Sequence, residues 1–253
     1  MTRIPTQAQG NRTAAGNGGH ERPFVLLSCA ASIDGYIDDA SPQRLLLSNA
    51  ADFERVDEER AGVDAILVGL STIRHDNPRL QVRSAQARTA RRSRGLPSTP
   101  LRVTVTGSGD LDPAARFFDP VDGDDEAGRP VVYAATPAVG RARERVGPVA
   151  TVVDAGDPLD LAGVLADLAG RGVRRLMVEG GSAMHTQFLA AGLADELQLV
   201  VAPVFVGDSR APRFVGDARF PWSGDHRAQL AGATPIGDVV LLRYTLSDRR
   251  SPV

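Results

Sequence analysis

Six short apolar runs, rich in leucine and β-branched residues, lie between residues 24 and 180. Polar or glycine-containing segments bound each run, and helical patterns separate the runs. Continuous apolar strands usually belong to parallel sheets that helices cover on both faces. The pattern therefore predicts an α/β fold with strands at 24–32, 65–69, 101–106, 130–135, 150–155 and 175–180.

Three helices can be placed by the residues at their ends. Asn, Asp and Ser side chains accept hydrogen bonds from the free N–H groups at a helix start, and glycine commonly ends a helix. Proline is favoured at the first helical position. These signals predict helices over 48–62, over 157–170 with Asp157 as N-cap and Pro158 following it, and over 182–192.

The last fifty residues change character. Apolar runs at 196–207, 227–233 and 238–246 follow one another without a helical pattern between them, and Pro235 to Asp238 form a turn signal. Such a hairpin predicts an antiparallel edge. The predicted fold is therefore a mixed, mostly parallel central sheet, flanked by helices, with an antiparallel C-terminal edge.

The chain is long enough for one domain, which we place at residues 23–248. Residues 1–22 have no hydrophobic period and are rich in polar residues and glycine, so we expect a disordered leader. Residues 249–253 are expected to be a tail. Residues 84–100 place several arginines among Ser, Ala and Gly, which predicts a flexible loop, with a phosphate-attracting arm as the alternative.

Composition excludes several classes of function. All 29 basic residues are arginine, so Schiff-base lysines and Walker A lysines are impossible. A net charge of −2 gives no overall attraction to nucleic acid or anionic membranes. The single cysteine, Cys29, and four histidines without ligand spacing argue against a metal site. No apolar stretch is long enough to span a bilayer, so we expect a cytoplasmic protein.

A glycine turn follows the run at 175–180. Glu179 ends the strand, and Gly180 and Gly181 precede Ser182, at which a predicted helix begins. Backbone N–H groups next to such glycines can approach a phosphate closely, and the helix N-terminus adds partial positive charge. A tight turn without a ligand explains the glycines equally well. Glu179 favours a site, because a carboxylate at the end of a buried strand needs a partner.

Residues 64–83 combine a buried strand with what we predict to be a long polar loop. Asp76 to Pro78 predict a turn. Arg79 and Arg83 could bind a phosphate ester through paired N–H groups, although exposed arginines are common in a chain without lysine. His75 and His185 have no obvious carboxylate partner in the sequence, so we expect packing or surface roles for both.

Four segments together resemble the riboflavin-biosynthesis pyrimidine reductase family. They are ASIDG at 31–35, DAILVGLSTIRHDNPRLQVR at 64–83, VEGGS at 178–182 and GLADELQLVVAPVFVG at 192–207. The resemblance extends over residues 24–244 and implies a stand-alone reductase with a dihydrofolate reductase-like fold, usually a homodimer, that uses NADPH. It also implies the reaction, in which the ribosylamino side chain of a pyrimidine 5′-phosphate is reduced to the ribitylamino form.

The same resemblance implies roles for individual residues. Glu179 and Asp76 are expected to be catalytic, orienting the substrate and stabilising charge near the opened sugar. The substrate-binding positions are Arg44, Arg60, Leu80, Arg83 and Glu179, with Arg60 and Arg83 on the 5′-phosphate. The cofactor-binding positions are Ala30, Thr72, Asp76, Ser108, Gly180, Gly181, Ser182 and Ala183.

Departures from the family pattern leave alternatives open. Ser28 stands where members fused to a deaminase commonly have lysine, so the pyrimidine could have a 2-amino or a 2-oxo group. The alternative functions are a reductase of a pterin or of a specialised-metabolite pyrimidine, and an NADPH-binding paralogue without activity. Arg60 and Arg83 argue against a neutral pterin, which needs no phosphate anchor. The H-x-E and P-C-x-x-C deaminase motifs are absent, so another protein would perform any deamination.

Overall fold

The structure is a computed structural model that describes residues 22–41, 43–121 and 128–252. The predicted leader therefore lies outside the described residues, apart from Arg22. The strands are β1 (Phe24–Ser32), β2 (Ala65–Gly69), β3 (Leu101–Thr106), β4 (Val131–Ala134), β5 (Thr151–Asp154), β6 (Arg175–Val178), β7 (Glu196–Ala202), β8 (Gln229–Ile236) and β9 (Val239–Thr245). The α-helices are α1 (Ala50–Ala61), α2 (Leu70–Asp76), α3 (Ala85–Ser93), α4 (Val139–Val146), α5 (Leu161–Gly170) and α6 (Ser182–Ala190).

All of these strands form one sheet, in the order β5-β4-β3-β2-β6-β1-β7-β9-β8. The neighbours from β5 to β7 are parallel, and β9 is antiparallel to both β7 and β8. The predicted fold class, a mostly parallel mixed sheet with an antiparallel C-terminal edge, is confirmed.

Helices cover both faces of the parallel part of the sheet. Successive strand residues point to opposite faces, so Leu27 packs with α5 and α6, whereas Leu26 packs with α2 and α4. Both leucines are fully buried. Burial on two faces is why these strands are continuously apolar in the sequence.

The strands β2, β6 and β1 are parallel neighbours, so their carboxyl ends lie at the same edge of the sheet. The segments that follow these strands begin at Leu70, Glu179 and Ile33. In open α/β sheets, ligands bind in the crevice outside the carboxyl ends of the strands. The topology therefore brings three segments that are distant in sequence to one place.

The predicted polar loop after β2 begins as a helix. Leu70–Asp76 form α2, which ends at Asn77 in the left-handed conformation, with φ of 43°. Ile73 is buried against the sheet and fixes the helix. The sequence prediction was wrong here because seven residues with one buried side chain give no helical period.

The predicted flexible loop at 84–100 is also wrong over Ala85–Ser93, which form α3. Ser84 caps this helix, since its hydroxyl accepts the N–H of Ala87. The arginine-rich composition gave no sign that one of these arginines, Arg91, is buried. Arg91 is 2% exposed and donates hydrogen bonds to three main-chain carbonyls, those of Ala61, Val63 and Pro97. These bonds dock α3 on the C-terminal end of α1.

The start of α5 differs from the prediction as well. Asp160 is the N-cap and accepts the N–H of Ala162, whereas Asp157 and Pro158 lie in the preceding turn. The predicted N-cap, Asp157, is therefore wrong by three residues. Two aspartates followed by an apolar or proline residue offer the same local signal, and only packing against the sheet distinguishes them.

The ends of the domain meet at Asp195, whose side chain is fully buried. Arg22 binds this carboxylate through two hydrogen bonds of 2.7 and 2.8 Å, and Arg249 binds it at 3.1 Å. These contacts involve one residue on either side of the predicted domain bounds, 23 and 248, which stay a prediction. Among the described helices, none combines the length and the apolar character needed to cross a membrane.

Candidate active site

A cavity of about 1400 Å³ opens at the carboxyl ends of β1, β2 and β6. Its wall is formed by β1, α1, α2, the loop after α2, and the turn between β6 and α6. The structure brings most of the predicted site residues together here: Ala30, Arg44, Arg60, Thr72, Asp76, Leu80, Arg83, Glu179, Gly180, Gly181, Ser182 and Ala183.

Ser108 is the exception among the predicted site residues, because it does not line this cavity as the described residues form it. It is exposed and follows β3, the strand next to β2. Its hydroxyl accepts the N–H of Asp110 at 3.3 Å. Its predicted contact with the cofactor thus stays a prediction.

Glu179 is held by both the backbone and a side chain. Its N–H donates to the carbonyl of Leu67 in β2, which continues the parallel ladder beyond β6. Arg60 donates from Nε and Nη2 to the two carboxylate oxygens of Glu179, at 2.7 and 2.6 Å. Both side chains are mostly buried, at 16% and 13% exposed. This two-bond geometry fixes the carboxylate in orientation as well as in position.

The ion pair stabilises the buried charge of Arg60. Burial disfavours the charged guanidinium, but the adjacent Glu179 carboxylate outweighs burial and raises the pKa of Arg60 above its ordinary value. Glu179 therefore faces the cavity with a stabilised cation beside it.

The turn after Glu179 allows close approach to the backbone. Gly180 has a φ of +111°, a conformation that residues with a side chain rarely adopt. A Cβ atom at Gly181 would lie 3.3 Å from the hydroxyl oxygen of Thr72. Gly180 also accepts a hydrogen bond from the N–H of Gly69, at the end of β2. The two glycines therefore hold the turn against α2 without filling the cavity.

The N-terminus of α6 opens into the same cavity. None of the described side chains caps this helix, and the N–H groups of Ser182 and Ala183 lie in its first turn, where an α-helix has no internal acceptor. Such N–H groups, with the partial positive charge of the helix end, bind phosphate. The backbone at 180–183 therefore fits the pyrophosphate of a dinucleotide.

His75 and Asp76 form a hydrogen-bonded pair on the cavity wall. Nδ1 of His75 lies 2.9 Å from Asp76 and 3.7 Å from Asp38. The hydrogen bond with Asp76 raises the pKa of His75 above its ordinary value. The expectation that His75 has no carboxylate partner is therefore wrong, because its partner is the next residue. His185, in contrast, is buried, and burial lowers its pKa to about 4.

Arg83 lies on the loop after α2, and its position is set by α1. The N–H groups of Arg83 and Ser84 donate to the Asp57 carboxylate at 2.7 and 2.8 Å. The Arg83 guanidinium is 58% exposed, donates to the carbonyl of Phe53, and lies 5.7 Å from the centre of the Phe53 ring. It is therefore positioned yet accessible from the cavity.

A model of the RibD C-terminal domain matches residues 23–242. The chain belongs to this family. It is 38% identical to the 2,5-diamino-6-ribosylamino-4(3H)-pyrimidinone 5′-phosphate reductase of Archaeoglobus fulgidus, over 76% of this chain and 85% of that protein. It is 31% identical to the reductase of the same name from Methanothermobacter thermautotrophicus, over 89% of this chain and 99% of that protein. The family predicted from the sequence is confirmed.

Solved structures agree on the fold. A pyrimidine reductase-like protein from Corynebacterium diphtheriae is similar with a TM-score of 0.73 and 22% identity, over 88% of this chain and 91% of that one. The riboflavin biosynthesis reductase Rib7 of Saccharomyces cerevisiae is similar with a TM-score of 0.60 and 18% identity, over 89% and 90%. The architecture described above is thus the fold that these two proteins share.

Sequence reasoning assigned no role to several polar residues of this RibD-family cavity, among them Asp52 and Arg55, and it placed Arg88 only in a loop. Asp52 and Arg55 lie three positions apart in α1, a spacing that places two side chains on one helix face. That spacing is the signal that could have revealed them. Arg88 belongs to α3, whose helical character was not predicted, so its orientation could not have been inferred.

Proposed function

We propose that this chain is an NADPH-dependent reductase that converts the ribosylamino side chain of a pyrimidine 5′-phosphate to the ribitylamino form. The supporting observation is one cavity, in a member of the RibD C-terminal family, that contains the Arg60–Glu179 pair, the glycine turn and Arg83. Curated relatives named for this substrate class support the same assignment.

The proposed cofactor site is the wall around the glycine turn. When bound, NADPH would supply a hydride to C1′ of the ring-opened sugar. The backbone at Gly180 to Ala183 would hold the pyrophosphate, as the free N–H groups of α6 suggest. Thr72, which lies against Gly181, and Ala30 would complete the cofactor wall.

The proposed substrate site lies along α1. The Nε and Nη2 groups of Arg60 are already hydrogen-bonded to the two oxygens of Glu179. We therefore assign Arg60 to positioning this carboxylate. Glu179 would then accept hydrogen bonds from the hydroxyl groups of the opened sugar. Arg83, with its exposed guanidinium, is the stronger candidate for the 5′-phosphate. Leu80 is buried beneath this part of the cavity, and Arg44 lies at its rim.

Asp76 has a proposed role through its neighbour. The raised pKa of His75 keeps a proton on Nδ1 at neutral pH more often than in a free histidine. The hydrogen bond to this proton orients the Asp76 carboxylate on the cavity wall. The pair therefore provides an oriented carboxylate and a nearby proton where the sugar would be reduced.

The test is the oxidation of NADPH by the purified protein, followed by absorbance. Three compounds are offered: the 2,5-diamino-pyrimidinone and the 5-aminouracil ribosylamino 5′-phosphates, and dihydrofolate. Oxidation with a ribosylamino compound, and a ribitylamino product by mass spectrometry, is the expected result. Oxidation with dihydrofolate alone would replace the proposal with a pterin reductase, and NADPH binding without turnover would indicate a paralogue that lacks activity.

A further inference from the structure

A buried carboxylate oxygen in the cavity wall is left without a hydrogen bond. Asp52 lies in the first turn of α1 and is 1% exposed. Its Oδ1 accepts a hydrogen bond of 2.7 Å from Nε of Arg55, whereas Oδ2 accepts none from any residue that the structure describes. Buried polar atoms nearly always have a partner, and an oxygen left without one is destabilising. A donor from a bound ligand would satisfy this oxygen.

Asp52 cannot easily turn away to find another partner. Arg55, which binds Oδ1, also donates from Nη1 to Gln198 at 2.6 Å. Gln198 is 1% exposed and donates in turn to Glu59 at 3.0 Å and to Glu196 at 3.1 Å. This chain of hydrogen bonds joins α1 to β7. It holds the Asp52 carboxylate in one orientation, as a recognition group requires.

The same place in the wall contains a second small polar group. Ser28 of β1 is directly paired in register with Gln198 of β7, which accepts a hydrogen bond from Arg55 of α1. Ser28, Asp52 and Arg55 all line the cavity. The hydroxyl of Ser28 can donate or accept, so it does not by itself distinguish an amino group from a carbonyl. A carboxylate can only accept. Arg55 can only donate, but its Nε and Nη1 are already bonded to Asp52 and Gln198. Asp52, with its unpaired Oδ2, is therefore the group that we assign to distinguishing an amino group from a carbonyl.

The distance along α1 suits a substrate whose pyrimidine is recognised at one end and whose sugar is reduced at the other. Asp52 and Arg60 are eight residues apart, about 12 Å along the helix axis. Arg60 fixes Glu179, at which we place the reacting sugar. Asp52 would then face the pyrimidine at C2, which N1 separates from the carbon that bears the ribosylamino substituent.

We propose that Asp52 recognises the 2-amino group of the substrate and so selects the 2,5-diamino-pyrimidinone over the 2-oxo compound. This inference rests on the proposed function. An amino group presents N–H donors to Oδ2, whereas a 2-oxo group would place a second acceptor against a buried carboxylate. Sites built to hydrogen-bond one polar group reject analogues without it strongly, because the buried partner stays unsatisfied.

The experiment compares kcat/KM for the two ribosylamino 5′-phosphates in four proteins: wild type, Asp52→Asn, Asp52→Ala and Glu54→Gln. Wild type should prefer the 2-amino compound by about 100-fold or more. Asp52→Asn should lower that preference to below about tenfold, since an amide can donate to a carbonyl. Glu54 is exposed on the same helix and outside the cavity, so Glu54→Gln removes the same charge and should keep the wild-type preference.

The outcomes separate the inference from the function that it assumes. Equal use of both compounds by wild type, a preference for the 2-oxo compound, or an unchanged preference in folded Asp52→Asn would each overturn the role of Asp52 while the reductase activity stands. If wild type reduces neither compound, the proposed function fails and the inference fails with it. NADPH affinity, measured by fluorescence, should be equal in all four proteins and reports that each is folded. If both Asp52 variants are unstable, equal use of the two compounds by wild type, or a preference for the 2-oxo compound, still overturns the inference, because that comparison requires no variant.

Discussion

Arg60 and Glu179 are 119 positions apart in the chain and are joined by two hydrogen bonds of 2.6 and 2.7 Å. Arg60 comes from the last turn of α1, and Glu179 follows β6. The pair therefore links a helix that covers the sheet to the carboxyl end of a central strand. Removing one partner would leave the other charge buried and unpaired, which is costly. Substitutions at this pair should consequently be chosen to retain shape.

Glu179→Gln retains the shape of the side chain and one acceptor oxygen but removes the charge. We expect kcat for the ribosylamino substrate to fall about 100-fold, the usual scale for loss of a positioned carboxylate. The dissociation constant of NADPH should change less than about twofold, because the cofactor is expected to contact backbone at 180–183. Steady-state kinetics and a fluorescence titration measure the two quantities. Full activity in this variant would show that the Glu179 carboxylate has no role in the reaction.

Arg83→Ala tests the proposed phosphate anchor. A charged hydrogen bond contributes about 1.5–3 kcal/mol, so KM for the phosphorylated substrate should rise about 10-fold to 100-fold with a smaller effect on kcat. Arg74→Ala is the matched control: Arg74 is similarly exposed at 52%, pairs with Asp110, and does not line the described cavity. A KM equal to that of the control would indicate that another residue, such as Arg44 or Arg88, binds the phosphate.

Gly180→Ala tests whether the glycine turn holds the cofactor. The φ of +111° is strained for alanine, and its Cβ would lie 3.1 Å from Nε2 of the buried His185. Strain of this kind costs about 1–3 kcal/mol, so the turn should shift and the dissociation constant of NADPH should rise at least about tenfold. Gly140→Ala, in α4, adds a Cβ that meets nothing within 4 Å and should leave binding unchanged. Wild-type affinity in Gly180→Ala would show that the cofactor lies elsewhere.

Most of the parallel strands were predictable because they are buried on both faces and therefore appear in the sequence as apolar runs. The glycine turn was predictable because Gly180 needs a backbone conformation that few other residues adopt. Helix α3 was not predictable from composition. Its decisive residue is Arg91, whose burial is stabilised by carbonyls of two other segments, and such contacts exist only in the folded chain.

The candidate site was predictable as a set of residues but not as a set of contacts. Resemblance assigned both Arg60 and Arg83 to a phosphate, and no sequence pattern indicated that Arg60 binds Glu179. Likewise, Asp52 stands in α1 among other charged residues and is distinguished only by its burial and its unsatisfied oxygen. Long-range pairing and burial are tertiary properties, so the Arg60–Glu179 contact and the buried oxygen of Asp52 could be found only in the structure.

His185→Leu tests the effect of burying a histidine beneath the glycine turn. The pKa of His185 is lowered by burial from 6.5 to about 4, so the unfolded chain binds a proton between these values and the folded chain does not. The stability that this residue contributes is therefore present above pH 6.5 and is lost as the pH falls towards 4, by about 3 kcal/mol in total. Leucine, similar in volume, has no proton to bind. Urea unfolding at a series of pH values should thus show a difference between wild type and His185→Leu that shifts in favour of the variant between pH 6.5 and 4. A difference that is constant with pH would mean that His185 titrates normally and is not buried.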